Sequence, residues 1–442
     1  MIESFGDIFK VPELKKRLLF TAVIIVAYRI GVTIPIPGIN IAAFKAIFAQ
    51  QSHTLFGFMD MFSGGALSRL SIFTLGIMPY INASIIFSLL QATVPYLEKL
   101  AKEGETGRKK ITQWTRYATL VLAVIQSLGL TLFMIVPMRA PGMASGTLVA
   151  HPGAMFVFVT VLTMTTGTVF IMWLGEQITE NGIGNGISLI IFAGIVDRLP
   201  SASKNLFILI KTHEMSLFTG VFLLLLVFLV VAAVVLLETG QRKIPVQYAK
   251  RVVGRKMYGG QSTYLPLKVN QSGVIAVIFA VSLMSVPFTL AQFAHNDFMK
   301  KFTEYWSRGS VVYEVLYALL IIFFCYFYNS ITLNPKDIAE NMKKWGGFVP
   351  GLRPGEPTAN YIEWVLNRIT LGGALYVAFI AIMPDYLRKF MNAPFFFGGT
   401  ALLIVVGVAL DTVGQIESHL IMRHYDGFLK KGRIKGRWFN VR

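Results

Sequence analysis

Residues able to do chemistry are sparse in this chain of 442 residues. Its six histidines form no His-Glu-x-x-His pair, and His419 and His424 sit five apart in the tail, where no metal site is expected. Cys325, the one cysteine, lies inside an apolar run, which excludes a disulfide framework and a cysteine-built metal site. "EGETGRKK" has the wrong glycine spacing for a phosphate-binding loop, and "GIGNGI" lacks the strand that must precede a dinucleotide fingerprint. No catalytic constellation results, so neither an enzyme nor a bound cofactor or metal is expected. Ion-coupled transporters hold their ion on ionisable groups deep in the membrane. Here the clear intramembrane charges are Arg29 and Asp411, while Asn82, Gln126 and Asn185 are polar without being ionisable. What remains is apolar. Ile77 and Ile81 are four apart, as are Ile187 and Ile191, and each pair shares one helical face. Such pairs are ordinary packing or a hydrophobic constriction that gates water by dewetting; spacing alone leaves both readings open.

The elements that must carry these residues are membrane spans. Hydrophobic residues make up 54% of the chain and charged ones 14%, with mean hydropathy +0.60, whereas a soluble domain is about 25% charged. Apolar runs long enough to cross a bilayer fall at about 18–34, 75–95, 117–137, 154–174, 183–199, 217–237, 273–293, 311–333, 369–384 and 396–416. The fold class expected is therefore an all-α polytopic membrane protein of ten transmembrane helices. Spans five and nine are short and Gly-rich and are expected inside the bundle, because glycine permits close backbone approach. Ten crossings put both termini on one side. Most of the 41 Lys and Arg residues lie on that side, so by the positive-inside rule both termini are cytoplasmic.

Residues 1–17 place Ile2, Phe5, Ile8 and Phe9 at helical spacing before a basic cluster, which suits an amphipathic lead-in on the inner leaflet or a disordered one. Two cytoplasmic connections, 238–270 and 334–368, are too long to be turns. In the first, Ile244, Val246 and Tyr248 alternate with polar residues, predicting a strand-like hairpin with Arg255 and Lys256 at its tip. In the second, Asn334 is placed to cap a short helix, and "GGFVPGLRPGEPT" forms a stiff exposed loop displaying Arg353. Ten spans could form two groups of five, 18–199 and 217–416 on either side of an external linker 200–216, but no internal repeat shows that symmetry; 417–442 is a basic tail. Their basic loops suit solvent and lipid headgroups, or the docking of an acidic protein face or RNA phosphates.

One stretch fits none of these elements. "MFSGGALSRLS" (residues 61–71) is half apolar, Gly-rich and too short to span, yet sits directly before the second span.

That stretch belongs to a set of motifs. "IPIPGIN", "MFSGGALSRLSIFTLGIMPYINASII", "EGETGRKKITQWTRY", "MWLGEQITENGIGNGISLIIFAGIV", "QSTYLPLKVN", "FVPGLRPGEPTANYI" and "PFFFGGTALLIVVGVALD" occur in this order from about residue 10 to 415. They resemble the SecY family of bacterial protein-conducting channel subunits. The resemblance implies two pseudo-symmetric five-helix halves around a central pore in the cytoplasmic (inner) membrane. It implies an apolar pore ring of Ile77, Ile81, Ile187, Ile191, Ile278 and Ile404, and a plug of Met61, Phe62, Ser63, Gly64, Gly65, Ala66, Leu67, Ser68, Arg69 and Leu70. The plug would be a short helix folded into the external funnel, with Met61, Phe62 and Leu67 touching the ring and Arg69 facing water. A lateral gate would lie between spans two and three and spans seven and eight, with Asn82 and Gln126 near the seam. Arg255, Lys256 and Arg353 would form the docking surface for the ribosome and the motor ATPase SecA. Relatives often carry two arginines where this chain has Arg255 and Lys256, and lysine keeps the charge but loses bidentate pairing. The remaining partners implied are SecE, SecG, unfolded preproteins bearing signal sequences, and membrane lipids. Energy would come from SecA, the ribosome or the proton-motive force. Outer loops 139–151 and 292–310 and the last 20 residues carry no matching motif.

Two other readings compete: a secondary transporter of a small solute, and a membrane scaffold or insertase with no continuous pore. The transporter needs a polar site at mid-membrane, which these spans barely supply. A scaffold has no use for a removable plug.

Overall fold

The computed structural model describes residues 11–51, 55–135, 149, 153–213, 216–248, 251–253, 256–258, 262–293, 310–391 and 399–431. The expected lead-in at 1–10, the greater part of both outer loops and the end of the tail lie outside them.

A helix occupies each of the ten places where a span is expected. These are α1 (Pro12–Thr33), α4 (Met78–Thr93), α6 (Glu105–Gly129), α7 (Ala154–Asn181), α8 (Gly186–Val196), α10 (Leu217–Thr239), α11 (Ile275–Phe293), α12 (Val311–Thr332), α14 (Glu356–Met391) and α15 (Gly399–Lys431). Among the described residues, seven helices are long and apolar enough to cross a membrane, and a bent pair makes an eighth. The short helices between them are α2 (Ile41–Gln51), α3 (Leu55–Phe62), α5 (Pro95–Lys102), α9 (Leu199–Lys211) and α13 (Pro335–Lys344).

Local chemistry sets the breaks. Pro95 lacks an N–H and disfavours helical geometry in the residue before it. Val94 is accordingly extended (φ −101°, ψ 112°), and α4 and α5 meet at 99°. Asn334 caps α13 as expected, its Oδ1 accepting from the Lys336 N–H at 3.1 Å. Hydropathy sorts helices between lipid and interior: α10 has mean hydropathy 3.4 and 22% of its window buried, whereas the span within α14 has 1.7 and 50%. With every residue of α8 buried or half-buried, the Gly-rich fifth span sits inside the bundle as expected.

Several boundaries differ from the sequence expectation. Residues 12–17 are the first turns of α1, continuous with the span rather than a separate lead-in. Much of the linker 200–216 is helical, because α9 follows α8 after a short break. Span nine is the middle of the 36-residue α14, and α15 carries the last span on to Lys431.

The two long connections form one unit. Strand β1 (Gln241–Tyr248) pairs antiparallel with β4 (Ser262–Lys268) and also with β5 (Gly347–Phe348) from the other connection. Ile244 and Val246 are buried as their alternation predicts. Ile244 and Leu267 pack with Val349, Ile362, Val365 and Leu366 against the start of α14. Beyond this sheet, β2 (Arg251–Val253) and β3 (Lys256–Tyr258) form a small hairpin, with Val253 opposite Lys256.

Candidate functional site: an isoleucine collar and the segment beneath it

Four helices bring the collar together. Ile77 precedes α4 and Ile81 lies one turn inside it; Ile187 and Ile191 are on α8, Ile278 on α11 and Ile404 on α15. Ile77, Ile81, Ile191, Ile278 and Ile404 are buried in one apolar cluster, and Ile187 packs half-buried against it. Residues separated by more than 300 positions in sequence thus share one core cluster.

Met61, Phe62 and Ala66 of the following short segment belong to that same cluster. Leu67 does not: it packs with Ile36, Phe44, Phe48 and Leu70 in a second cluster. A further correction concerns shape. The resemblance implies a short helix over 61–71, but α3 ends at Phe62 and residues 63–77 run as turns broken by a single β-bridge from Ser71 to Pro35. The cause is a Schellman ending. Gly64 takes φ 65° and Gly65 φ 84°; the Gly64 N–H donates to Met61 O and the Gly65 N–H to Asp60 O. A left-handed pair cannot continue a right-handed helix.

Glycine also sets the depth of docking. A side-chain carbon on Gly64 would lie 3.0 Å from the Gly194 Cα and 2.9 Å from the Tyr28 hydroxyl. The segment is further tied to the end of α1, where Ile36 N–H donates to Leu70 O and Ile72 N–H to Ile34 O, both at 2.9 Å. Leu70 itself holds φ 43°, an unusual position for a branched side chain that its burial beside Phe44 and Phe48 maintains.

The polar ties of the segment were not legible in the sequence. Tyr28 donates its hydroxyl to Ser63 O at 3.1 Å, and Arg29 donates to Gly64 O at 3.2 Å. Arg29 also pairs with Asp197, and Asp60 pairs with Arg198. Asp60 is 3% exposed, and its other oxygen accepts from the Ser68 N–H at 2.7 Å. The Ser63 hydroxyl donates to Asp60 O at 3.1 Å. Arg69, half-buried, lines a cleft of about 440 Å³ together with Asp60, Ser68, Asp197, Arg198 and Ser201. Arg29 was visible as an intramembrane charge; its carboxylate partner was not.

At the expected seam, α11 contacts both α4 and α6, and α12 packs on α11. Asn82 is buried on α4 and Gln126 half-buried on α6, with no side-chain hydrogen bond to either among the described residues. On the loops, Arg353 is exposed between Gly351 and Gly355, both at positive φ, and its carbonyl accepts from the Thr358 hydroxyl at 2.8 Å. Lys256 opens β3, while Arg255 lies outside the described residues.

Comparison with known proteins places this architecture. A family profile, SecY, matches residues 71–413. The chain is 49% identical over 428 residues to the protein translocase subunit SecY of Escherichia coli K12, covering 96% of each chain. It is 42% identical to the corresponding subunit of Thermotoga maritima, over 99% of this chain and 100% of that one. Among solved structures, a protein-conducting channel aligns with a TM-score of 0.60 at 18% identity, over 95% of both chains. Sec61 from a canine ribosome-channel complex aligns with a TM-score of 0.57 at 16% identity, again over 95% of both.

Proposed function

Because the chain belongs to the SecY family, we propose that it is the central pore-forming subunit of a protein translocase, a multi-pass protein of the bacterial inner membrane. It passes signal-bearing polypeptides across the bilayer or releases them sideways into it. The observation that carries this reading is the single cluster in which the isoleucine collar meets Met61, Phe62 and Ala66. An apolar ring blocked by a short, separately folded segment suits a pore that must seal when empty and widen when filled.

The mechanism follows from the collar's chemistry. Aliphatic side chains make no directional bonds, so a ring of them fits around an extended chain of any sequence while keeping out water and ions. The turn-built segment withdraws to let a chain pass and returns afterwards. Parting of α4 and α6 from α11 and α12 exposes the pore to lipid. A hydrophobic signal then leaves the pore with a gain of roughly 0.8 kcal/mol per buried CH₂. Asn82 and Gln126 add weak polar contacts across that seam once a partner comes within reach, each worth around 1 kcal/mol.

The chain hydrolyses nothing itself. We assign the energy to the SecA ATPase, the translating ribosome or the proton-motive force. Arg255, Lys256 and Arg353 form the docking surface, carried on loops that the shared sheet of β1, β4 and β5 holds together. Ribosome-bound structural neighbours, the canine complex and a yeast Ssh1 complex, support this assignment for the ribosome. SecE and SecG complete the assembly.

Cysteine placed at Ile81 or Ile404 tests the pore directly. With a preprotein arrested partway across reconstituted vesicles, both positions are expected to cross-link to the translocating chain. Cross-links confined to lipid-facing positions of α10, with none at the collar, would overturn the assignment.

A further inference from the structure

Four charged side chains surround the segment beneath the collar, and nothing in a passive seal requires them. Asp197 and Arg198 are adjacent at the junction of α8 and α9, and each binds a different partner across the external cleft. Arg198 pairs with Asp60, which lies in the last turn of α3 and accepts from the Ser68 N–H. Asp197 pairs with Arg29, which in turn donates to the Gly64 carbonyl. One pair grips the segment through a side chain; the other grips it through a main-chain oxygen held by an oriented guanidinium.

Their placement separates two jobs. The Arg198–Asp60 pair bridges α3, which leads into the segment, to the α8–α9 junction, so it breaks whenever the segment leaves together with Asp60. The Arg29–Asp197 pair joins α1 to α8, both outside the segment, and survives its departure intact. Asp60 is nearly inaccessible, and its arginine is about one-fifth exposed at the cleft. A buried carboxylate deprived of its partner is costly, whereas water entering the cleft can solvate both ions once they part. A position part-way out, with the pair broken while Asp60 is still buried, is disfavoured because it leaves an unpaired carboxylate out of water.

We propose that Asp60 and Arg198 form an electrostatic latch that sets the closed resting state, with Asp197 positioning Arg29 as its main-chain clamp. This rests on the pore reading above and adds to it. Opening then requires rupture of one specific charge pair, which makes the segment switch between seated and released positions.

The test is single-channel recording of the reconstituted translocase carrying Asp60→Asn, Arg198→Gln, the two together, and Arg198→Lys. Asp60→Asn keeps the acceptor for the Ser68 N–H and removes only the charge. Each neutral single variant is expected to raise the resting open fraction about tenfold or more, as loss of one buried partner implies. The double variant is expected to open no more than either single, because the pair is one interaction. Arg198→Lys should stay close to the unaltered protein. Should Asp60→Asn fail to accumulate in membranes, Arg198→Gln against Arg198→Lys carries the comparison. Unchanged opening in the neutral variants, or strict additivity in the double, overturns the latch. A companion variant lacking residues 61–70 separates the two readings: if it conducts while the neutral variants stay quiet, the pore stands and the latch falls. If it too is silent, the pore reading falls and the latch with it.

Discussion

At the scale of single residues, shape and charge do different work around the same segment. Gly64 serves geometry, since φ 65° strains a residue that carries a side chain and its backbone lies against Gly194. Gly64→Ala adds backbone strain of about 1–2 kcal/mol and a contact that the Tyr28 hydroxyl must yield to. We expect a higher resting ion leak in this variant, readable as faster dye release from vesicles, with normal export of preproteins. The collar isoleucines serve exclusion. Replacing Ile81 and Ile191 together by Ser should raise ion leak during translocation, because hydroxyls hold water where alkyl groups shed it. Leak indistinguishable from the unaltered protein would reduce these residues to packing. The isoleucine pairs were visible in the sequence, because fourfold spacing marks one helical face. Asp60 and Arg198 were not: they lie 138 positions apart, and no periodicity joins a residue before the second span to one after the fifth.

At the scale of elements, the strongest apolar runs were legible and their ends were not. Every expected span has its helix, because a run of some twenty apolar residues has few alternatives in a bilayer. The ends of α14 and α15 escaped because polar residues such as Glu356 and Lys431 continue a helix without adding hydropathy. The resemblance implied a short helix for residues 61–71, whereas the Gly64–Gly65 pair is a stop signal. The hairpin and the cap at Asn334 were also legible, since alternation and a capping side chain are local. The pairing of β1 with β5 is not local, and it couples the two loops mechanically. A consequence follows for docking. Arg353→Glu should reduce SecA-driven export by about tenfold or more, as charge reversal at a docking site both removes attraction and adds repulsion, while leaving helix content unchanged by circular dichroism. Export at the normal rate would count against Arg353 as a docking residue. Disrupting the sheet instead, with Val246→Asp, buries an unpaired charge and should impair docking without touching an arginine.

At the scale of the molecule, a few interfaces must move while the rest hold. The contact of α11 with α4 and α6 is the natural place to part, since among the described residues no side-chain hydrogen bond from Asn82 or Gln126 crosses it. A disulfide engineered between α4 and α11 should therefore block lateral release of signal sequences, and reduction should restore it. Persistent insertion with the bond intact would move the exit elsewhere. Contacts between helices far apart in the chain, such as α4 with α11 and α8 with α15, are encoded by no single run of sequence; the order of motifs carried that information instead.

The central claim is that a collar of isoleucines surrounds a wide pore closed by residues 61–70. It is tested most directly by ion conductance of the purified protein in planar bilayers, intact and with those residues deleted. The account predicts a quiet intact protein and a deletion variant that passes large hydrated ions. Equal silence from both would mean that the segment seals nothing, and would contradict the account at its base.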